Sequence, residues 1–298
     1  MAQKKNDMKK PLIILAVVLV AALLAFLIYD EVKTGGYVKE LNQAINNTYD
    51  LQAGSAVGHT YNYAQDDAEN SSEVVRKADF VRSDDGITFH EQTGNEDGTA
   101  LVSDVFLRPG EYYYLGEDAK WVRNEIEEGL DTRPYSMSGI SREVSSSQYK
   151  RVKEVPIPEG FEGDKAYQVV LTRQWIISNY QGDGGEPLDG SIVYVIEYDG
   201  ETPYVTQVDQ LLNIRVTDEE GNKSVQVVEE VSQFTRGTTA DGGDVQSALD
   251  TFYKENIEGN NVEAADLEAE STDSDAQTED DLTVGSSGEE MTVGSSEE

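Results

Sequence analysis

His59 and His90 are the only imidazoles in this chain of 298 residues, and there is no cysteine to share work with them. Nucleophilic catalysis through imidazole needs a hydroxyl or thiol and an orienting acid, and a zinc site needs several nitrogen or sulfur ligands. Each histidine sits in a separate strand-like stretch, GHTYNY and ITFHEQ, where its ordinary role is a hydrogen-bonded sheet residue. Ser147-Gln-Tyr-Lys150 has the Ser-x-x-Lys spacing of penicillin-interacting serine enzymes, and Lys33-Thr34-Gly35 has their Lys-Thr-Gly. Those enzymes place Lys-Thr-Gly far downstream, add Ser-Asp-Asn, and start a helix at the serine. None of these conditions is met, so this reading fails.

The segment Thr93 to Asp104 partly matches a calcium loop: Asn95, Asp97 and Gly98 fit its third, fifth and sixth positions. Thr93 stands where an acidic ligand is wanted and Asp104 where a bidentate glutamate is wanted, and the flanks have strand character. A hairpin turn accounts for Asn95–Gly98 without an ion. Asp183-Gly-Gly-Glu186 and Asp241-Gly-Gly-Asp244 read as turns on the same grounds. Carboxylate pairs for glycoside hydrolysis carry no information in a chain this acidic. Tyr112-Tyr113-Tyr114 with Trp121 could line a ligand, yet alternation along a strand sends Tyr112 and Tyr114 to one face and Tyr113 to the other. Sequence thus assigns no catalytic residue, no metal ligand and no cofactor, leaves the ligand-binding residues unknown, and points to a non-enzymatic protein.

The elements that would position such residues are mostly strands. Lys33-Thr34-Gly35-Gly36 reads as a short break. Tyr37, Leu41, Ile45 and Tyr49 then recur every fourth residue, one stripe of an amphipathic helix that Gly54 is expected to end. From about residue 55 to 235 the period is two. Val169, Leu171, Arg173, Trp175 and Ile177 alternate with their neighbours, as do Ile192 to Tyr198 and Leu212 to Val216. Asp199-Gly200 marks a two-residue hairpin, and Leu115–Asp118 and Glu219–Asn222 mark longer ones. Residues 128–147 are expected to cross the sheet as a loop or short helix, and 155–165 to connect two sheet segments. Val245, Leu249 and Phe252 behind an Asp244 N-cap predict a closing helix.

The ends of the chain set its address. Residues 11–29 are an uncharged apolar run about 28 Å long as a helix, near the hydrocarbon thickness of a bilayer. Lys4, Lys5, Lys9 and Lys10 precede it and Asp30 and Glu31 follow, which predicts a cytoplasmic N-terminus. A cleaved signal peptide is the alternative, but the run ends in bulky Phe26–Tyr29 rather than a small-x-small site. The net charge of −35 is uneven: −15 falls on residues 255–298, which hold no Lys or Arg, and +3 on residues 1–10. Such a field repels nucleic acid, so no nucleic-acid partner is expected. The expected organisation is a cytoplasmic leader (1–10), a transmembrane signal anchor (11–29), an extracytoplasmic mainly β domain (30–255) and a disordered acidic tail (256–298).

A helix, a long antiparallel meander, an interrupting crossing and a return to strands together resemble the LolA-like lipoprotein-carrier superfamily. The residues that carry the likeness are the helix Tyr37–Tyr49 and the strands around Phe106-Leu107, Glu111–Tyr114 and Trp121–Arg123. The hairpin Leu212–Thr217/Ser224–Val231 completes it. The resemblance implies a curved half-barrel whose concave face holds helices and an apolar ligand or lipidated partner. This chain departs from it in having an apolar anchor in place of a lipobox cysteine, and a long acidic tail. The expected fold class is α+β: a transmembrane helix, then a mostly antiparallel meander or half-barrel with flanking helices. The expected role is a membrane-anchored binding module of the bacterial envelope. The alternative is a structural or interaction protein of the cell surface with a spacer tail.

Overall fold

The computed structural model describes residues 33–264, apart from 96–99, 117, 126–142, 180–184, 218–220, 259 and 261. The expected anchor (11–29) and most of the expected tail lie outside the described residues. Among the described residues no helix is long and apolar enough to cross a membrane.

A helix, α1 (residues 33–49), opens the described chain. A first meander follows: β1 (Ala53–Ala64), β2 (Asp67–Ser83), β3 (Gly86–Gly94), β4 (Leu101–Arg108), β5 (Glu111–Leu115) and β6 (Trp121–Glu125). A second contains β7 (Tyr149–Val155), β8 (Lys165–Leu171), the short helix α2 (Arg173–Asn179), β9 (Glu186–Asp199), β10 (Thr202–Thr217) and β11 (Lys223–Arg236). Helix α3 (Val245–Phe252) runs on into a π-helical turn (Tyr253–Glu258), and a two-residue strand, β12 (Glu263–Ala264), comes last.

One twelve-stranded sheet results, in the order β12-β6-β5-β4-β3-β2-β1-β11-β10-β9-β8-β7. The two meanders meet where β1 pairs antiparallel with β11, in unbroken register from Gly54↔Arg236 to Ala64↔Gln226. Gly54 lies within this ladder rather than ending the helix. A Cβ there would stand 2.5 Å from the Thr235 carbonyl oxygen, so only glycine allows the approach. The hairpin expected at Asp199-Gly200 forms between β9 and β10, but Asp199 is its last paired residue, opposite Thr202. The two-residue turn is Gly200-Glu201, with Gly200 at φ 62°.

The sheet is an open, curved half-barrel. Phe89 on β3 and Val169 on β8 lie six strands apart, about 29 Å in a flat sheet at ~4.8 Å per strand. Both belong to one core cluster with Leu41, Ala44 and Ile45 of α1, which are fully buried. A helix only about 10 Å across could not seal a flat face that wide, so the strands wrap around it. On the opposite face Phe106, Tyr113 and Trp121 form a second cluster with Val245, Leu249 and Ile257. Helix α3 is capped as expected, the Asp244 carboxylate accepting from the Ser247 N–H at 2.8 Å.

Three further sequence expectations are corrected. Lys33-Thr34-Gly35-Gly36 is the first turn of α1 and not a break. The alternating run through Arg173, Trp175 and Ile177 leaves the sheet after Leu171, where the Thr172 hydroxyl accepts from the Trp175 N–H (3.2 Å) and starts α2. Ile176 becomes the fully buried residue of that helix, and Ile177 is exposed. The tail boundary moves as well: helical structure continues to Glu258, and Ile257 is 2% exposed.

Candidate functional site

The concave face is the candidate site. Alternation along β2, β3, β8, β9 and β10 points Phe80, Phe89, Val169, Leu171, Tyr194, Ile196, Val208 and Ile214 inward, forming an apolar cradle. Helix α1 lies in it because its apolar residues recur every three or four positions. Leu41, Ala44 and Ile45 are fully buried, with Tyr37, Val38 and Tyr49 packed against the rim. Ile176 of α2 and Val144 fill the remainder.

Polar contacts fix α1 along its length. The Asn42 side chain donates to the Val144 carbonyl (3.1 Å) and accepts from the Val144 N–H (2.7 Å). Asn47 donates to the Pro203 carbonyl at 2.8 Å. The Thr48 hydroxyl accepts from the Val205 N–H (2.8 Å), replacing a ladder bond beside the β10 bulge. Near the N-terminal half, Glu40 receives the Lys165 ammonium at 2.7 Å and the Tyr198 hydroxyl. Burial alone would push the Glu40 carboxyl up. Hydrogen bonds from Lys165, Tyr198 and Tyr167 outweigh it and hold the group below its ordinary value of 4.5. The same bond to Glu40 holds Lys165 well above the usual lysine range. Burial, then Glu40, pushes the Tyr167 phenol up. This latch ties α1 to β8 and β9. Sequence reasoning missed it, since Glu40 is one polar residue beside an apolar stripe and its partner stands 125 positions away.

The residues singled out by sequence are dispersed. His59 Nδ1 meets Glu73 at 2.7 Å, and His90 Nε2 meets Asp104 at 2.9 Å. Both histidines occupy the convex face, but four residues and two strands separate their rows, roughly 16 Å by strand geometry. His90 packs under Phe252 with ring centroids 3.6 Å apart. Asp104 is 5% exposed and also accepts from Gln92, so it braces the sheet. Thr93 pairs with Ser103, and Gln92 with Asp104, so Thr93 and Asp104 point to opposite faces and cannot share one ion. Ser147 lies in a turn and Lys150 on β7, with no helix between them. Glu186 is held by Arg173 (2.5 Å) and Arg215 (2.8 Å), and Asp183 lies outside the described residues. Tyr112 packs against the concave cluster and Tyr113 belongs to the convex one, as alternation requires.

No family profile matches the sequence, and no curated protein matches it. Among solved structures, the chain is similar to an S-type phycobiliprotein lyase from Guillardia theta at 8% identity, covering 67% of this chain and 97% of that one, with a TM-score of 0.24. It is also similar to a LolA superfamily protein from Nitrosomonas europaea at 7% identity, covering 68% of this chain and 94% of that one, with a TM-score of 0.25. The second belongs to the superfamily that the order of elements resembles. At such TM-scores neither likeness carries an argument, and the fold rests on the strand order and register given above.

Proposed function

We propose that this protein is a non-catalytic binding module of the bacterial cell envelope, tethered by residues 11–29, that takes an acyl chain or a lipidated partner into its concave face. The observation that carries the reading is an apolar cradle lined by several strands and filled largely by α1, which no disulfide retains, with Ile176 of α2 and Val144 beside it. Magnitudes permit exchange. The fully buried Leu41 and Ile45 contribute roughly 1.5–3 kcal/mol each, with smaller amounts from Ala44 and the rim residues. The contacts of Asn42, Asn47, Thr48 and Glu40 add about 1 kcal/mol apiece. A sixteen-carbon acyl chain contributes about 12 kcal/mol at ~0.8 kcal/mol per buried methylene, comparable with what the helix gives up. The apolar run ends at Tyr29 and α1 is described from residue 33.

One observation favours the alternative, an interaction protein whose cradle stays shut: Leu41, Ala44 and Ile45 are 0% exposed. Residues 30–264, purified and extracted with organic solvent, separate the two. Copurified acyl species, or saturable uptake of a fluorescent palmitate analogue, are expected. A clean protein that takes up no analogue supports the shut cradle.

A further inference from the structure

Glu40 and the apolar stripe of α1 lie side by side: Glu40 precedes Leu41 in sequence and stands one turn from Ala44. A ligand that lifts the helix therefore displaces a carboxylate and an apolar surface together. Three donors of the sheet converge on that carboxylate. Lys165 on β8 places its ammonium 2.7 Å from Oε1, and the Tyr198 hydroxyl on β9 donates to the same oxygen. The Tyr167 phenol, two residues from Lys165 on the same face of β8, bonds to the carboxylate as well. The ammonium also donates to the Tyr198 oxygen at 3.2 Å and lies 5.2 Å from the centroid of that ring.

These donors belong to the sheet and stay behind when α1 leaves. Among the described residues Glu40 is the acid that Lys165 pairs with, and Glu154 on β7 reaches Tyr167 only electrostatically. Without Glu40 a partly buried ammonium and two phenols face the cradle with no counter-charge, which burial penalises. The arrangement is a carboxylate site that the chain's own helix occupies. Burial, then the bond to Glu40, holds both phenols above their ordinary value of 10, so they are donors at neutral pH.

We propose that the ligand of the cradle is a free fatty acid, its carboxylate taking the position of Glu40 on Lys165, Tyr167 and Tyr198 as its chain replaces Leu41, Ala44 and Ile45. The assignment rests on the reading that α1 lifts to admit an acyl chain. One ammonium matches a monoanion. A phosphate monoester carries about two negative charges, more than this site neutralises. An alcohol or an esterified chain carries none. Charge-assisted hydrogen bonds are the stronger kind, so a carboxylate restores what the departing Glu40 gives up. The negative field of the chain opposes an anion at long range, and selection falls to these contacts.

The full chain in detergent micelles is titrated with palmitate, hexadecanol and hexadecyl phosphate, each in competition with a fluorescent palmitate analogue. Salt at about 0.15 M screens the long-range field, and a pH of about 8 keeps the carboxylate ionised. Ratios between parent and variant cancel partition into the micelle. The preference for palmitate over hexadecanol is expected to be about tenfold larger in the parent than in Lys165→Met, the effect of losing a charged donor. In Tyr198→Phe, which keeps the ring, the preference is expected to fall about fivefold. Glu40→Gln loosens α1 but keeps the donors, so it is expected to strengthen both ligands and leave the preference intact. A preference equal in the parent and in Lys165→Met overturns the proposal, and uptake of both ligands then leaves the cradle reading standing. Uptake of neither ligand overturns both. Hexadecyl phosphate gaining more from Lys165 than palmitate does overturns the assignment to a carboxylate.

Discussion

Asp209 shows how a single residue reports on this fold. It lies on β10 with one carboxylate oxygen buried and without a partner. Burial, then the nearby Glu229 charge, raises it to about 6 from an ordinary 3.8. A raised folded value means its favourable contribution is fully present below about pH 3.8 and is lost as pH rises through 6. Asp209→Asn is therefore expected to stabilise the domain at pH 7 by about 1 kcal/mol, after discounting for solvent screening, and to give no gain below pH 4. Urea melts at the two pH values check this. Glu40 has the opposite sign. Its folded value is lowered, so the latch contributes above about pH 4.5 and is lost as pH falls through the folded value. Lys165, raised, contributes fully below 10.5 and loses its contribution only as pH rises beyond that. The protection factors of α1 amides, with the pH dependence of intrinsic exchange divided out, are expected to fall below pH 4.5 in the parent chain. In Lys165→Met they should already be low at pH 7, with a smaller further change on acidification.

At the scale of elements, α1 decides the state of the cradle. Ile45→Ala, at a fully buried position, is expected to lower unfolding free energy by about 2–5 kcal/mol, read from urea denaturation with an unchanged slope. How far each element could be read from sequence follows from how local its signal is. The α1 stripe, the Asp244-capped helix and the Asp199-Gly200 hairpin each rest on residues within a few positions of one another. Each element forms, although α1 starts four residues earlier and the hairpin turns one residue later than expected. Helix α2 does not. Arg173–Ile177 alternates like a strand, and only the Thr172 cap and the packing of Ile176 turn it helical. The latch was illegible for a stronger reason. It joins residues more than a hundred positions apart, through a register that no local pattern encodes.

The whole molecule joins a curved sheet to two charged or apolar extremes. The segment beyond residue 264 is expected to act as a spacer, so truncation there should leave the melting temperature of the domain unchanged. Deletion of residues 1–32 should move the protein from the membrane to the soluble fraction after ultracentrifugation. In the proposed function the concave face accepts an acyl chain by lifting α1. Electron–electron distance measurement between spin labels at Lys39→Cys on α1 and Lys223→Cys on β11 tests it most directly. The chain has no other cysteine, and both positions are exposed. The distance is expected to lengthen and broaden as palmitate is titrated in. A distance distribution that stays narrow and unchanged at saturating palmitate would mean that α1 stays in the cradle and that the concave face takes up no acyl chain.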